Sequence, residues 1–266
     1  MQDNLLERLW QTVKAEQPMV HVLSNIVTAN DCANLETAES TATAGTTAKP
    51  INTVPPQEAA EITAACSGTV LNLGTPDDNK FIACRAAGKE ANRLGHPLVI
   101  DPVGVGASIY RRQQTATLLA EVRPNIVRAN LKEVQDLSDF STGNWGVSPA
   151  EVTQDGRELA KKLALQLNCV VLLTGEEDFI TDGRQEAQID GGDSRIRQIT
   201  GAGCMLSVLC GALATVTEPF TAACAASVAW KACAAGAGAR IGTTGGMGAF
   251  HAALLDEAGF LGLKKE

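Results

Sequence analysis

Five short apolar runs, at 19–23, 70–73, 97–100, 126–127 and 169–173, each stop at glycine or polar residues. Between the later ones lie helix-like stretches at 79–94, 115–122, 131–137 and 156–167. Strand-length runs alternating with helix-length stretches predict an α/β fold, a mainly parallel sheet covered by helices. In such open sheets ligands bind outside the carboxyl ends of the strands. The polar motifs of this chain fall at those ends. A length of 266 residues suffices for one large domain with a substantial core and leaves a second domain unnecessary.

Composition narrows the function classes. With 22 basic against 30 acidic residues and no basic run, a nucleic-acid partner is not expected. No apolar stretch reaches the ~18 uninterrupted residues of a membrane span. The N-terminal segment suggests an amphipathic helix ended by Pro18, without the positive start and longer apolar core of a secretory signal. The eight cysteines lack CxxC spacing and sit mostly among alanines and aliphatics, which fits reduced, buried thiols and a cytoplasmic location.

Gly201-Ala202-Gly203-Cys204 leads into a small-residue apolar stretch, 205–216, with helical character. Backbone N–H groups of a glycine turn at a helix N-terminus form an anion site. The same dipole would lower the pKa of a thiol placed there. The alternative is a tight turn whose cysteine packs as a small hydrophobe. Residues 201–240 are poor in charge and are expected to be core. The threonine-rich segment 35–56, bounded by Pro55-Pro56, is expected to be a loop or irregular edge, as is 139–149.

Three further motifs end strands. Asp101-Pro102-Val103-Gly104-Val105-Gly106 places a carboxylate before a glycine loop, a pairing that holds Mg²⁺ through water while N–H groups approach phosphate. It lacks the third glycine of a dinucleotide fingerprint. In Arg128-Ala129-Asn130-Leu131-Lys132-Glu133, Asn130 and Glu133 have the spacing of a capping box, and Arg128 adds a cation suited to polyphosphate. Thr174, in Thr174-Gly175-Glu176, either donates to a phosphate or simply finishes the sheet, and 179–183 suggests the next strand and its turn. Near the N-terminus, Asn25 could orient a small polar substrate, whereas His21 suggests a structural histidine. Neither a P-loop nor zinc-type spacing is present.

Taken in order, these motifs resemble hydroxyethylthiazole kinase, the thiamine-salvage member of the ribokinase-like superfamily. The likeness begins with His21-Val22-Leu23-Ser24-Asn25, continues through Asn72-Leu73-Gly74-Thr75, Asp101 to Ala107, Arg128 to Glu133 and Thr174-Gly175-Glu176, and ends at Thr200 to Cys204. The resemblance implies a single ribokinase-like domain over 1–266, a three-layer αβα arrangement with a mainly parallel central sheet. It also implies a homotrimer with sites at subunit interfaces. The implied reaction moves the γ-phosphoryl of ATP, with Mg²⁺, to the primary alcohol of 4-methyl-5-(2-hydroxyethyl)thiazole. Arg128, Thr174 and Asn130 would serve ATP, and Asp101 and Glu133 would serve Mg²⁺. Asn25, Asn52, Gly74 and Gly201 would line the acceptor pocket. The turn Gly201, Ala202, Gly203 and Cys204 would carry catalysis, with Cys204 where most ribokinase-like enzymes have a catalytic aspartate.

The chain departs from the family pattern in 35–54. Ala48-Lys49-Pro50-Ile51-Asn52 stands where relatives carry G-A-S-P-x-M, so Asn52 replaces a methionine that packs on the thiazole. Ala129 for glycine is a smaller change. Rival readings are a kinase of another heteroaromatic alcohol, a non-catalytic nucleotide- or vitamin-binding protein, and a cysteine hydrolase using Cys204.

Overall fold

Side chains of the central strands alternate between two apolar layers, as period-two geometry requires. Val70, Val99, Ile126, Val170 and Leu172 face one layer, and Leu71, Ile100, Val127, Val171 and Leu173 face the other. The computed structural model describes residues 3–40, 56–138 and 155–261. Its sheet contains β1 (Val20–Leu23), β2 (Gly68–Asn72), β3 (Leu98–Asp101), β4 (Ile126–Asn130), β5 (Val170–Thr174), β6 (Asp178–Thr181) and β7 (Glu186–Ile189), in that spatial order. The pairs from β1 to β5 are parallel, whereas β5–β6 and β6–β7 are antiparallel.

Helices cover both faces. On one side lie α3 (Pro56–Ala64), α4 (Asp78–Leu94), α5 (Ile109–Glu121), α6 (Leu131–Ser138) and α7 (Gly156–Leu167). On the other lie α1 (Asp3–Glu16), α2 (Ala29–Ser40), α8 (Ala202–Ala214), α9 (Pro219–Ile241) and α10 (Met247–Gly259). The expected three-layer αβα arrangement is therefore present. Helix α8 is buried from Cys204 through Ala214, so its apolar character all round reflects a central position against the sheet. Local chemistry fixes helix starts elsewhere: Asp77, Ser108 and Asp155 each accept a backbone N–H at the first turn of α4, α5 and α7.

Three expectations need correction, and one strand was unforeseen. Residues 35–40 belong to α2 rather than to a loop, because Cys32 and Leu35 give that helix a buried stripe. Pro56 opens α3 instead of ending a segment, a position where its missing N–H costs nothing. Helix α5 begins at Ile109, six residues before the expected start, since Ser108 caps it there. Strand β7 was not anticipated; its alternating exposure suits an edge. Residues 41–55, including Asn52, and the expected loop at 139–149 lie outside the described residues.

Candidate active site

The carboxyl ends of β3, β4 and β5 meet the N-terminus of α8 around Arg128. Register places Asn72 beside Asp101 and Asn130 beside Thr174. Arg128 donates from Nη1 to Asp101 Oδ1 (3.2 Å) and from Nη2 to Thr174 Oγ1 (3.0 Å). Its Nε is buried without a hydrogen-bond partner. Burial works against the guanidinium charge, but Asp101, Glu133 and Cys204 together raise its pKa above the ordinary arginine value.

Asp101 is completely buried. Its Oδ2 accepts from Asn72 Nδ2 (2.8 Å) and Ser207 Oγ (3.0 Å), while Oδ1 takes Arg128. Both oxygens are thus occupied by β2, β4 and α8, and the carboxylate lies under the cleft rather than in its wall. Glu133 is different. Its oxygens accept the backbone N–H groups of Gly104 (3.1 Å) and Asn130 (2.9 Å), and Asn130 Oδ1 accepts from the Glu133 N–H (3.0 Å). This is the reciprocal capping box expected from the spacing. Each Glu133 oxygen keeps a lone pair, and the residue lines the cleft. Burial, reinforced by Asp101, raises its pKa, and Arg128 opposes the rise.

Two glycines shape the turn ahead of α8. Gly201 has φ of +90°, left-handed geometry, and a β-carbon there would overlap the Thr28 side chain. A β-carbon at Gly203 would overlap the Arg128 guanidinium, so glycine lets the cation sit against the helix N-terminus. Cys204 is buried, and its Sγ accepts from Asn25 Nδ2 at 3.4 Å. Burial pushes its pKa up to about 12, with Asp101 adding to the rise and Arg128 opposing it. The expected lowering by the helix dipole is therefore outweighed.

Arg128, Asn130, Glu133, Thr174 and the turn 201–204 line one cleft of about 460 Å³. Asn25, Gly74 and Asp101 stand beside or below it. Asn25 donates to Asn72 (3.0 Å) and accepts the N–H groups of Val27 and Thr28, which tightens the turn after β1. Gly74 donates its N–H to Asn72 Oδ1 (3.0 Å). His21 bonds Thr63 (2.8 Å) and is held neutral by burial, its pKa lowered to about 4, as suits a structural histidine.

Two lysines escaped the sequence reading. Lys80 donates to the carbonyls of Ser24 (2.7 Å) and Gly74 (2.8 Å), tying the turns after β1 and β2 together, and burial lowers its pKa. Lys231 lies in the cleft wall and donates to Glu176 O (2.8 Å). Its signal in the sequence was a single cation in the middle of a small-residue helix, α9. Among the described residues no cluster of three or more metal-ligating side chains occurs, and no helix is long and apolar enough to cross a membrane. All eight cysteines are free thiols.

A sheet of this topology, with the N-terminus of α8 at its carboxyl edge, is the three-layer fold of ribokinase-like proteins. A ribokinase-like superfamily protein from Enterococcus faecalis superposes with a TM-score of 0.62 over 95% of this chain and 93% of its own, at 13% identity, a likeness of fold. The model of the hydroxyethylthiazole kinase family matches residues 10–262, and the chain belongs to that family of phosphotransferases. A hydroxyethylthiazole kinase of Clostridium botulinum (strain Eklund 17B) is 33% identical over 254 residues, 94% of this chain and 89% of the relative. The structure of a hydroxyethylthiazole kinase protein from Pyrococcus horikoshii matches with a TM-score of 0.81 at 28% identity, over 96% of this chain and 92% of that one.

Proposed function

We propose that this chain, as a single kinase domain, transfers the γ-phosphoryl of ATP to the primary alcohol of 4-methyl-5-(2-hydroxyethyl)thiazole, a thiamine-salvage reaction in the cytoplasm. The observation that carries the reading is Arg128, bridged to Thr174 and lying against the Gly201–Cys204 turn in one cleft. A guanidinium and a helix N-terminus converging on one space suit a transferring phosphoryl group. In a loose transition state, positioning and electrostatics carry most of the rate, so the alcohol does not need a strong base. A neutral Cys204 thiol is compatible with that chemistry.

Mg²⁺ fits the oxygen donors present, since hard cations bind carboxylates and retain water. Glu133 would hold it through water together with the donor phosphates, and the ion would neutralise charge developing on the phosphoryl group. Asp101 we assign instead to positioning: its buried carboxylate accepts from Arg128, Asn72 and Ser207 and holds them in register. On the acceptor side, Asn25 and Gly74 shape the turns after β1 and β2, and Asn52 would contact the thiazole. The exposed apolar pair Ile26 and Val27, directly after Asn25, supports a subunit boundary there, and the homotrimer itself is carried over from the family resemblance.

The test is steady-state phosphorylation of the thiazole alcohol against hydroxymethylpyrimidine and pyridoxine-like alcohols, with ATP and Mg²⁺. The thiazole alcohol should give the highest kcat/KM. A higher value for a rival alcohol would reassign the acceptor, and no ATP turnover with any of them would leave a binding protein. Light scattering would test the trimer.

A further inference from the structure

The cleft around Arg128 adjoins a second cavity of about 420 Å³. The two share Gly175, Ile196, Arg197 and Lys231, which form the neck between them. Beyond the neck, the lining of the second cavity combines small residues, Gly191, Gly192 and Ser194 among them, with the acidic residues Glu176, Asp190 and Asp193. One ligand spanning both would therefore place a charged end at Arg128, its other end among the glycines, and its middle at the neck.

Lys231 is the buried cation of that neck, 9% exposed. It comes from α9, so it stands opposite the β5–β6 turn. Its ammonium donates to Glu176 O (2.8 Å) and lies 3.5 Å from Asp178 Oδ1. Asp178 is otherwise engaged: Oδ1 accepts the Gly175 N–H (3.0 Å) and Oδ2 accepts Ser227 Oγ (2.7 Å). An ammonium has three donors, and the carbonyl takes one. Asp178 balances the charge at ion-pair distance, which leaves donor capacity at the neck. Arg197, half-exposed on the same rim, pairs with the exposed Glu176 at 3.4 Å and belongs to the solvent side.

Building on the kinase reading, we propose that Lys231 is a nucleotide-binding residue, contacting the phosphate chain of a nucleoside di- or triphosphate where it passes from one cavity to the other. The same ammonium fixes the turn at 175–177 through Glu176 O, so the phosphate contact and the shape of the neck are set by one side chain.

Calorimetric titration of the intact protein with adenosine, ADP and a non-hydrolysable ATP analogue tests this. Lys231→Gln keeps an N–H for Glu176 O but removes the charge. It should weaken ADP and the analogue about tenfold or more, the scale of one charge-assisted hydrogen bond. Adenosine should bind as in the parent, KM for the acceptor alcohol should not move, and Lys231→Arg should recover most of the loss. Equal weakening of adenosine and ADP would make Lys231 a purely structural support of the turn, and unchanged ADP binding would remove it from the site; either result overturns the proposal. If the glutamine variant loses its native circular dichroism, Lys231→Met, of similar length and uncharged, decides: ADP affinity lost with adenosine affinity kept supports the contact, and parallel loss or unchanged ADP affinity overturns it. A parent that binds no nucleotide would instead overturn the kinase reading on which the proposal rests.

Discussion

The Arg128 guanidinium lies directly over Gly203, close enough that any side chain at 203 would overlap it. The N-terminus of α8 and the strand that carries the cation therefore meet at a point where no β-carbon fits. Gly203→Ala should force the guanidinium off Thr174, with an overpacking cost of about 1–3 kcal/mol. We expect a lower melting temperature and a raised KM for ATP, with the KM for the alcohol little changed. Parent-like ATP kinetics in the alanine variant would mean that this contact does not position Arg128.

The Arg128–Asp101 pair separates binding from stability. Arg128→Met removes the proposed phosphate contact and also leaves the Asp101 carboxylate buried without its cation, and breaking a buried pair costs about 3–5 kcal/mol. Adding Asp101→Asn should restore much of the stability in urea unfolding without restoring ATP affinity. Recovery of ATP binding in the double variant would show that Arg128 acts only through the fold.

The central strands and the glycine turn were legible because their apolar runs are marked off by Asn25, Gly74, Asp101 and Thr174, whereas Arg128, read as following its strand, lies within β4. The capping box was legible too, since Asn130 and Glu133 use each other and need nothing distant. Partnerships across the fold were not. Asp101 suggests a metal ligand from its place at a strand end, and only the fold shows its carboxylate buried, with Asn72 and Ser207 on Oδ2 and Arg128 on Oδ1. Lys80 and Lys231 stay hidden for a related reason: they donate to backbone carbonyls, among them Ser24 O and Glu176 O, 56 and 55 residues away, which carry no side-chain signature. Cys204 was misjudged in acidity because the helix dipole is a local feature, whereas burial is not.

Glu133 and Asp101 should respond differently to magnesium. Glu133→Gln keeps acceptor capacity for one backbone N–H but loses the charge that faces the cleft, so the Mg²⁺ concentration for half-maximal rate should rise several-fold. Asp101→Asn should change stability and ATP affinity more than the magnesium requirement. A magnesium titration of Glu133→Gln that overlays the parent would remove Glu133 from the metal site.

His21 links stability to pH. Its folded pKa, about 4, lies below the ordinary value near 6.5, so the folded state holds the neutral form while the unfolded chain takes up a proton. That difference favours unfolding as pH drops: the contribution is absent above about 6.5, grows as pH falls toward 4, and levels off below it. Its full size is about 3 kcal/mol. Urea unfolding between pH 7 and 4 should show a shallower loss for His21→Gln than for the parent. Identical slopes would place the acid sensitivity elsewhere.

Cys204 offers the sharpest test of how the chemistry is divided. With its pKa near 12, the thiol is neutral across pH 7–9, so the rate should show no ionisation belonging to it, and alkylation of the native enzyme at pH 8 should be slow beside that of the denatured chain. Cys204→Ser should keep kcat within about tenfold of the parent, below the 10²–10⁴ that a general base supplies. Cys204→Asp places a carboxylate beside Arg128 and above Asp101; if the buried charge is tolerated, kcat should equal or exceed that of the parent. ATP affinity measured by calorimetry should stay near the parental value in the serine variant. A phosphorylated or acylated cysteine detected by mass spectrometry would overturn this account, as would loss of more than about 100-fold in kcat for a well-folded serine variant that still binds ATP, and the thiol would then be the group that acts on the alcohol.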